Sequence, residues 1–558
     1  MCGILAVFGA SQVQPTLEKA LRASKKISHR GPDESGHIVS SSGAILCHER
    51  LSIVDLKTGK QPIKSEDESY LVHNGEIYNH KELRASLSRE YKRQGHSDSE
   101  VILHGYLDKG VSIVKELDGV FAFIISHKDK ILVARDPIGV KPLFFGADQE
   151  GALWFASEAK SLEDICETVE SFPVGHYYTK EEGFVRYYAP KWWTGEEKPT
   201  KDASKIRELL TKACTKRLMS DVPVGVLLSG GLDSSLVSSI VARELKKQGR
   251  TVKSFSIGLN KDSKDLVKAR EVADFLGTEH HEITYTVEEG IAYMKELIEK
   301  VETYDVTTIR ASTPMYIMTK YIREQGVKVV LSGEGADEMF GGYLYFGNAP
   351  TSSEFHEESV RRVKRLHTSD VQRADRSTMG AGVEARVPFL DLEFLDEVMS
   401  LDPELKVIRP GEKMEKHVLR KAFDTPDDPY LPDTILWRQK EQFSDGVGYS
   451  WVDSLKEFAE ECVSDIEFAK REKLFPHNTP LTKEAFLYRK IYASIFKNKS
   501  MVKLVKRWIP RWQDYDIDPS GRANAAHSQT YHGSGVASKK AERDEMEALE
   551  GDLLEVAL

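Results

Sequence analysis

The run VGVLLSGGLDSS at 224–235 limits what this chain can fold into more than any other stretch. An apolar strand passes straight into Ser229, Gly230, Gly231, Leu232, Asp233, Ser234 and Ser235, and a helix begins near Asp233. Glycines let backbone approach a ligand closely, and free N–H groups at a helix start attract anions. The hydroxyls add donors, so a phosphate-binding loop is expected. It is not a Walker A loop, because no lysine follows the glycines. Asp233 puts a carboxylate beside the phosphates, which points to Mg²⁺. The plain alternative is a tight strand-to-helix turn.

The surrounding pattern repeats this unit. VKSFSIGL (252–259) reads as a strand followed by a helix over 264–276, and EHHEIT (279–284) as a strand followed by a helix over 287–302. A helix over 313–325 leads into VKVVLS (327–332). Strand and helix in alternation mean crossover units and a parallel sheet. A second loop, SGEGADEMFGG (332–342), again joins a strand end to glycines and acids. Ser332, Gly333, Glu334 and Asp337 would meet the first loop at the carboxyl edge of the sheet, where such sheets bind ligands. The competing reading of these acids is a solvated surface. From about 350 to 512 the pattern is mostly helical.

The first part of the chain has another rhythm. ILAVF, AILCHE, LSIVDL, YLVHN, VFAFIIS, KILVAR and ALWFAS are short strand-like runs, with helical patterns only near 15–28, 80–90 and 98–109. This composition suggests layered α+β packing. APKWWTGEEKPTKDASK (189–205) reads as a linker. The tail from 513 is rich in Gly, Ser, Ala and charge, so it is expected to lack a core, and truncation after about residue 525 is expected to spare folding and activity.

The 558 residues carry a net charge of -10, which gives no general attraction for nucleic acid. The one basic cluster, MVKLVKRWIPRW (501–512), reads as an amphipathic closing segment. Five widely spaced cysteines without a Cys-x-x-Cys argue against a disulfide framework or structural zinc and favour a reducing compartment. No apolar run is long enough to span a membrane.

One of the five stands at position 2, in MCGILAVFG. It is either a small buried residue or, once Met1 is removed, a thiol beside a free α-amine. Three other segments bear on the choice: HERLSIVD (48–55), NGEIYN (74–79) and SDSE (97–100). Arg50 can grip a carboxylate, Asp98 and Glu76 can accept from an ammonium, and Asn74 with the Gly75 N–H can donate to an oxyanion. Taken singly each is a loop residue, and Asn-Gly is commonest as a hairpin turn.

MCGI, HRGPD, RLSIVD, NGEIYN and SGGLDSS together resemble the glutamine-hydrolysing asparagine synthetases. ETYDVTTIRASTPMY, SGEGADEMFGGY, GVEARVPFLD and WRQKEQFSDGVGYSW extend the likeness over nearly all of 1–520. The resemblance implies an αββα N-terminal-nucleophile hydrolase sandwich over 1–190, then a doubly wound α/β synthetase domain of the ATP-pyrophosphatase type over 205–512 with a helical C-terminal part; the tail over 513–558 matches nothing in this pattern, and its composition marks it as disordered. Cys2 would attack glutamine, with its own amine as base. Asn74 and Gly75 would form the oxyanion hole, and Arg50, Leu51, Ser52, Ile53, Val54, Glu76 and Asp98 would complete the glutamine pocket. ATP would contact Leu228, Ser229, Gly230, Gly231, Asp233, Ser234, Ser235, Ile257, Ser332 and Gly333. Asp233 and Asp337 would hold Mg²⁺, while Glu334 and Lys440 would act in adenylation of aspartate. Ammonia would travel inside the protein. The implied partners are small molecules only, with neither nucleic acid nor membrane, and the implied place is the cytoplasm. A homodimer is the assembly considered. The rivals are another adenylating amidotransferase, including a β-lactam-forming relative, and a catalytically dead interaction protein of the same fold.

Overall fold

The computed structural model describes residues 2–195, 198–409, 411–440 and 449–512; the tail over 513–558 lies outside the described residues. Two antiparallel sheets fill the N-terminal part. The first orders its strands as Thr168–Ser171, Phe144–Ala147, Leu153–Ala156, Cys2–Phe8, Ile45–Arg50 and Glu34–Val39. The second runs Gly183–Arg186, His176–Thr179, Lys130–Arg135, Gly119–His127, Tyr70–Ile77 and Ile63–Lys64.

Alternation along the first strand sets the layers, because successive side chains leave a strand on opposite faces. Ile4, Ala6 and Phe8 pack with Val72, Ala122, Ile124 and Val133 between the two sheets. Leu5 and Val7 point the other way, into a core with Ala20 and Ala23 of the helix Val13–Lys25. On the far face of the second sheet, Leu71, Phe121 and Phe123 meet Val101, Ile102 and Leu103 of the helix Glu100–Lys109. The order helix, sheet, sheet, helix is the expected αββα sandwich.

The third sheet is wholly parallel, ordered Glu279–Thr284, Lys253–Gly258, Val224–Leu227, Val329–Leu331, Glu384–Arg386. The chain order reverses between Val224–Leu227 and Val329–Leu331, so the two loops that follow them open at the switch point.

Two local expectations need correction, and two other readings gain detail. LSIVDL is not a strand: the strand ends at Arg50, and 51–59 forms a loop. It leaves the sheet to meet the other domain, where Ile53 O accepts from the Asp221 N–H (3.0 Å) and the Asp55 N–H donates to Asp221 (2.7 Å). Asn74-Gly75 is not a turn but lies inside the strand Tyr70–Ile77, paired with Ala122 and Phe121. The stretch 350–512 is mostly helical, as expected, and Glu384–Arg386 within it adds a fifth strand with little apolar signature. The helix expected over 313–325 spans Val306–Glu324 and contains Pro314. Proline cannot donate to the carbonyl four residues back. That carbonyl, on Arg310, instead accepts from the Trp451 indole at 2.9 Å, while Asp305 caps the helix start by accepting from the Thr308 N–H.

Candidate active sites

Cys2 begins the central strand of the first sheet, directly opposite Arg50 on Ile45–Arg50. Its backbone nitrogen donates to Asn74 Oδ1 at 2.9 Å. Asn74 Nδ2 is buried without a hydrogen-bond partner among the described residues. That leaves a donor available for an oxygen close to the thiol. The neighbouring Gly75 is required by sterics. Its φ is +151°, and a Cβ there would sit 2.0 Å from Val120 O. Burial pushes the Cys2 thiol above its ordinary value, opposed by nearby positive charge and by the Leu51 N–H.

The flanking groups converge from three segments. Arg50 is buried, and its guanidinium donates to Asp55 O (2.6 Å) and to Glu34 (3.2 Å). Asp98 is buried too, with Oδ2 accepting from the Ile77 N–H at 2.8 Å. Burial raises its carboxyl to about 6, against the pull of that N–H and of Arg386. Glu76 reaches across to Arg386 at 3.3 Å, and burial together with Glu384 pushes its carboxyl up. Leu51 and Ile53 are buried, Ser52 and Val54 partly so, and the Ser52 N–H donates to Asp33.

The second centre is a cavity of about 180 Å³ at the switch point of the parallel sheet. Leu228, Ser229, Gly231, Asp233, Ser234, Ile257, Ser332, Gly333, Glu334, Asp337 and Lys440 all line it. The two loops are in backbone contact there, since a Cβ on Gly333 would fall 2.7 Å from the Ser234 nitrogen. Gly230 and Ser235 are not among the lining residues. Ser235 is buried on the inner face of its helix, and Gly230 O accepts from Arg438 at 3.1 Å.

Charge in this cavity is paired across the chain. Asp233 and Asp337 share the Lys416 ammonium, and Asp337 also meets Lys440 at 2.7 Å. Burial raises the Asp337 carboxyl, but Lys416 and Lys440 outweigh it and hold the group down to about 2. Glu334 pairs with Arg373 at 2.8 Å, yet burial lifts its carboxyl to about 7, with Asp370 and Asp337 adding to the rise. Asp233 Oδ1 is buried without a hydrogen bond among the described residues. Two carboxylates with an open oxygen suit a cation that takes its remaining ligands from phosphates, the ordinary habit of Mg²⁺.

Sequence reasoning missed Lys416, Arg373, Asp370 and Arg438 in this cavity. Lys416 carries the only local hint once its backbone is known: it is buried with a left-handed φ of 57°. It also missed what joins the two centres. Arg30, fully buried, donates to the Cys2 carbonyl at 3.1 Å, to Glu158 at 2.7 Å, and to both oxygens of Asp375. Asp375 lies on the helix Asp370–Met379, which also presents Arg373 to Glu334. Leu51 and Ile53 belong to the same buried apolar cluster as Leu228 and Leu232 at the phosphate loop.

A buried cysteine beginning a strand beside an open amide donor, with a cleft at the switch point of a parallel sheet, is the pair of centres expected of an amidotransferase fused to a ligase. Residues 1–201 match the glutamine amidotransferase domain family, and 205–354 with 347–515 match the asparagine synthase family. A probable glutamine-hydrolysing asparagine synthetase from Dictyostelium discoideum is 52% identical over 558 aligned residues, covering 95% of this chain and 100% of that protein. One from Schizosaccharomyces pombe is 51% identical, covering 94% and 99%, and the enzyme of Brassica oleracea 49%, covering 96% of each. The chain belongs to the glutamine-hydrolysing asparagine synthetases.

Proposed function

We propose that this enzyme makes asparagine from aspartate at two sites working in series. Glutamine is hydrolysed to glutamate and ammonia, aspartate is activated by ATP as β-aspartyl-AMP with release of pyrophosphate, and ammonia converts the adenylate to asparagine and AMP. ATP is a substrate of this ligase. The division of labour we assign is 1–190 for glutamine hydrolysis and 205–512 for synthesis.

At the first site, once Met1 is removed, the Cys2 Sγ attacks the glutamine amide carbon. The freed α-amine, with an ordinary pKa of about 7.7–8.0, takes the thiol proton and passes it to the departing ammonia. Asn74 Nδ2 and the Gly75 N–H face the oxyanion. Donors of this kind are worth roughly 2.7–4 kcal/mol each in a dry site. Arg50 holds the substrate carboxylate, and Asp98 with Glu76 its ammonium. Water then releases glutamate from the thioester.

At the second site a β-carboxylate oxygen of aspartate attacks the α-phosphorus. Lys440 and Lys416 neutralise charge on the polyphosphate, and the Ser229 and Ser234 hydroxyls with the backbone of 229–235 and 332–333 cradle it. Asp233 and Asp337 would hold Mg²⁺, which when bound supplies further neutralisation of the phosphates. The observation that carries the serial reading is the shared apolar cluster running from Leu51 and Ile53 to Leu228 and Leu232. Such surroundings favour neutral ammonia over ammonium and exclude bulk water.

The five cysteines are free, which supports a cytoplasmic, reducing location. Among the described residues no helix is long and apolar enough to cross a membrane. A homodimer is our proposed assembly, with sedimentation equilibrium as its check. The reading of the reaction is tested with ATP, aspartate and glutamine carrying an isotopic label on its amide nitrogen. Labelled asparagine, AMP and pyrophosphate in equal amounts are expected; ADP in place of AMP, or unlabelled asparagine, would contradict it.

A further inference from the structure

A second cavity, of about 50 Å³, lies behind the synthetase cleft and shares Trp508 with it. Arg489 lines this cavity from the helix Lys483–Ile495. The residue is 5% exposed, and its Nε and Nη1 are buried without a hydrogen-bond partner among the described residues. It faces aromatic rings, with Tyr304 at 4.4 Å and Phe475 at 5.1 Å, and no ion pair reaches it among the described residues.

A buried guanidinium without a counter-ion is costly, and two ring faces offset only part of that cost. Burial indeed pulls Arg489 below its ordinary value. A second cation, Arg507, lines the same cavity and makes no ion pair among the described residues. It comes from the basic run at 501–512, whose Trp508 reaches the synthetase cleft while Arg507 does not line it. The one carboxylate in the wall, Asp305, is turned away. Its oxygens accept from the Trp508 N–H (2.8 Å) and from the N–H and hydroxyl of Thr308 (2.9 and 2.8 Å).

We propose that this cavity binds a small oxyanion, carboxylate or phosphate in type, held by an unpaired donor of Arg489 and by Arg507. The cavity is too small for a nucleotide and matches a single anionic group. Trp508 walls both cavities, and Asp305 caps the helix that presents Thr307 and Thr308 to the cleft.

The test uses the full chain with its cleft filled by aspartate and a non-hydrolysable ATP analogue. Inorganic phosphate and acetate are titrated separately at constant ionic strength, and Tm is followed. Tm is expected to rise with phosphate, with acetate, or with both, following ln(1 + c/Kd) for free anion concentration c. Phosphate alone marks a tetrahedral site and acetate alone a planar one, and either supports the proposal. Arg507→Ala should lose the response while ammonia-dependent synthesis stays within about twofold of wild type without added anion. Arg489→Met should lose the response and melt no lower than wild type, since it removes an unpaired buried charge. No rise with either anion, or a rise that persists in Arg507→Ala, overturns the proposal. So does a fall of several degrees in Arg489→Met without added anion, which would make the ring contacts the reason for the arginine.

Discussion

Asp98→Asn should strengthen the fold and damage the enzyme in one step. The Asp98 carboxyl sits at about 6 in the folded protein against an ordinary 3.8, and burial is the main cause. A difference of roughly 2 units corresponds to about 3 kcal/mol. The sign follows from the direction. Below pH 3.8 the group is neutral folded and unfolded, so it has no effect. Between 4 and 6 the unfolded chain releases its proton first, and stability falls as pH rises. Above 6 the full penalty is present. Asparagine keeps an oxygen for the Ile77 N–H and carries no charge. Asp98→Asn should therefore melt with wild type near pH 4 and progressively above it toward pH 7.5, by up to about 3 kcal/mol at the N-terminal transition. In the same variant a charge-assisted contact to the substrate ammonium is gone. That costs about 1.5–3 kcal/mol, or roughly 10- to 100-fold in glutamine-dependent kcat/KM. Synthesis from ammonium salt should be unchanged. Thermal scans at stepped pH, with both assays beside them, decide it. A melting difference that does not vary with pH, or an Asn variant less stable at pH 7.5, would refute the argument.

Three further changes have defined outcomes. Asp337→Asn should cut asparagine formation from either nitrogen source at least about 100-fold while glutamine hydrolysis persists, read by separate glutamate and asparagine assays; wild-type synthesis in saturating Mg²⁺ would remove Asp337 from the metal set. Gly75→Ala places a methyl 2.0 Å from Val120 O, so glutamine-dependent turnover should fall at least about 100-fold as the oxyanion donors shift, with ammonia-dependent synthesis retained. Trp451→Phe leaves the Arg310 carbonyl at Pro314 without its donor, and should lower stability by about 1–3 kcal/mol in denaturant melts.

Much of the fold was legible because its signals are local. Alternating strand and helix between 224 and 332 gave the parallel sheet, and the two Gly-rich loops marked its switch point. What failed was decided by distant partners. Glu384–Arg386 is a strand because it pairs beside Val329–Leu331, and its charged sequence says nothing of that. The helix expected over 313–325 starts seven residues earlier, at Val306, and Trp451, far along the chain, satisfies the carbonyl that Pro314 leaves open. At the sites, residue types were readable and pairings were not. Asp233 and Asp337 could be named from their loops. Lys416, which lies between them, stands in the unremarkable run GEKMEKH. Arg30 was seen only as part of HRGPD, whereas its meaning is a contact 345 residues away, with Asp375.

The central claim is that Cys2 releases ammonia at one site for use at another. It is tested most directly by measuring asparagine output from Cys2→Ala with glutamine and with ammonium salt, side by side. The account predicts no output from glutamine and near wild-type output from ammonium, because aspartate is adenylated on a different sheet. Continued use of glutamine would remove Cys2 as the nucleophile. Loss of both activities would make Cys2, buried at the start of its strand, a structural residue instead.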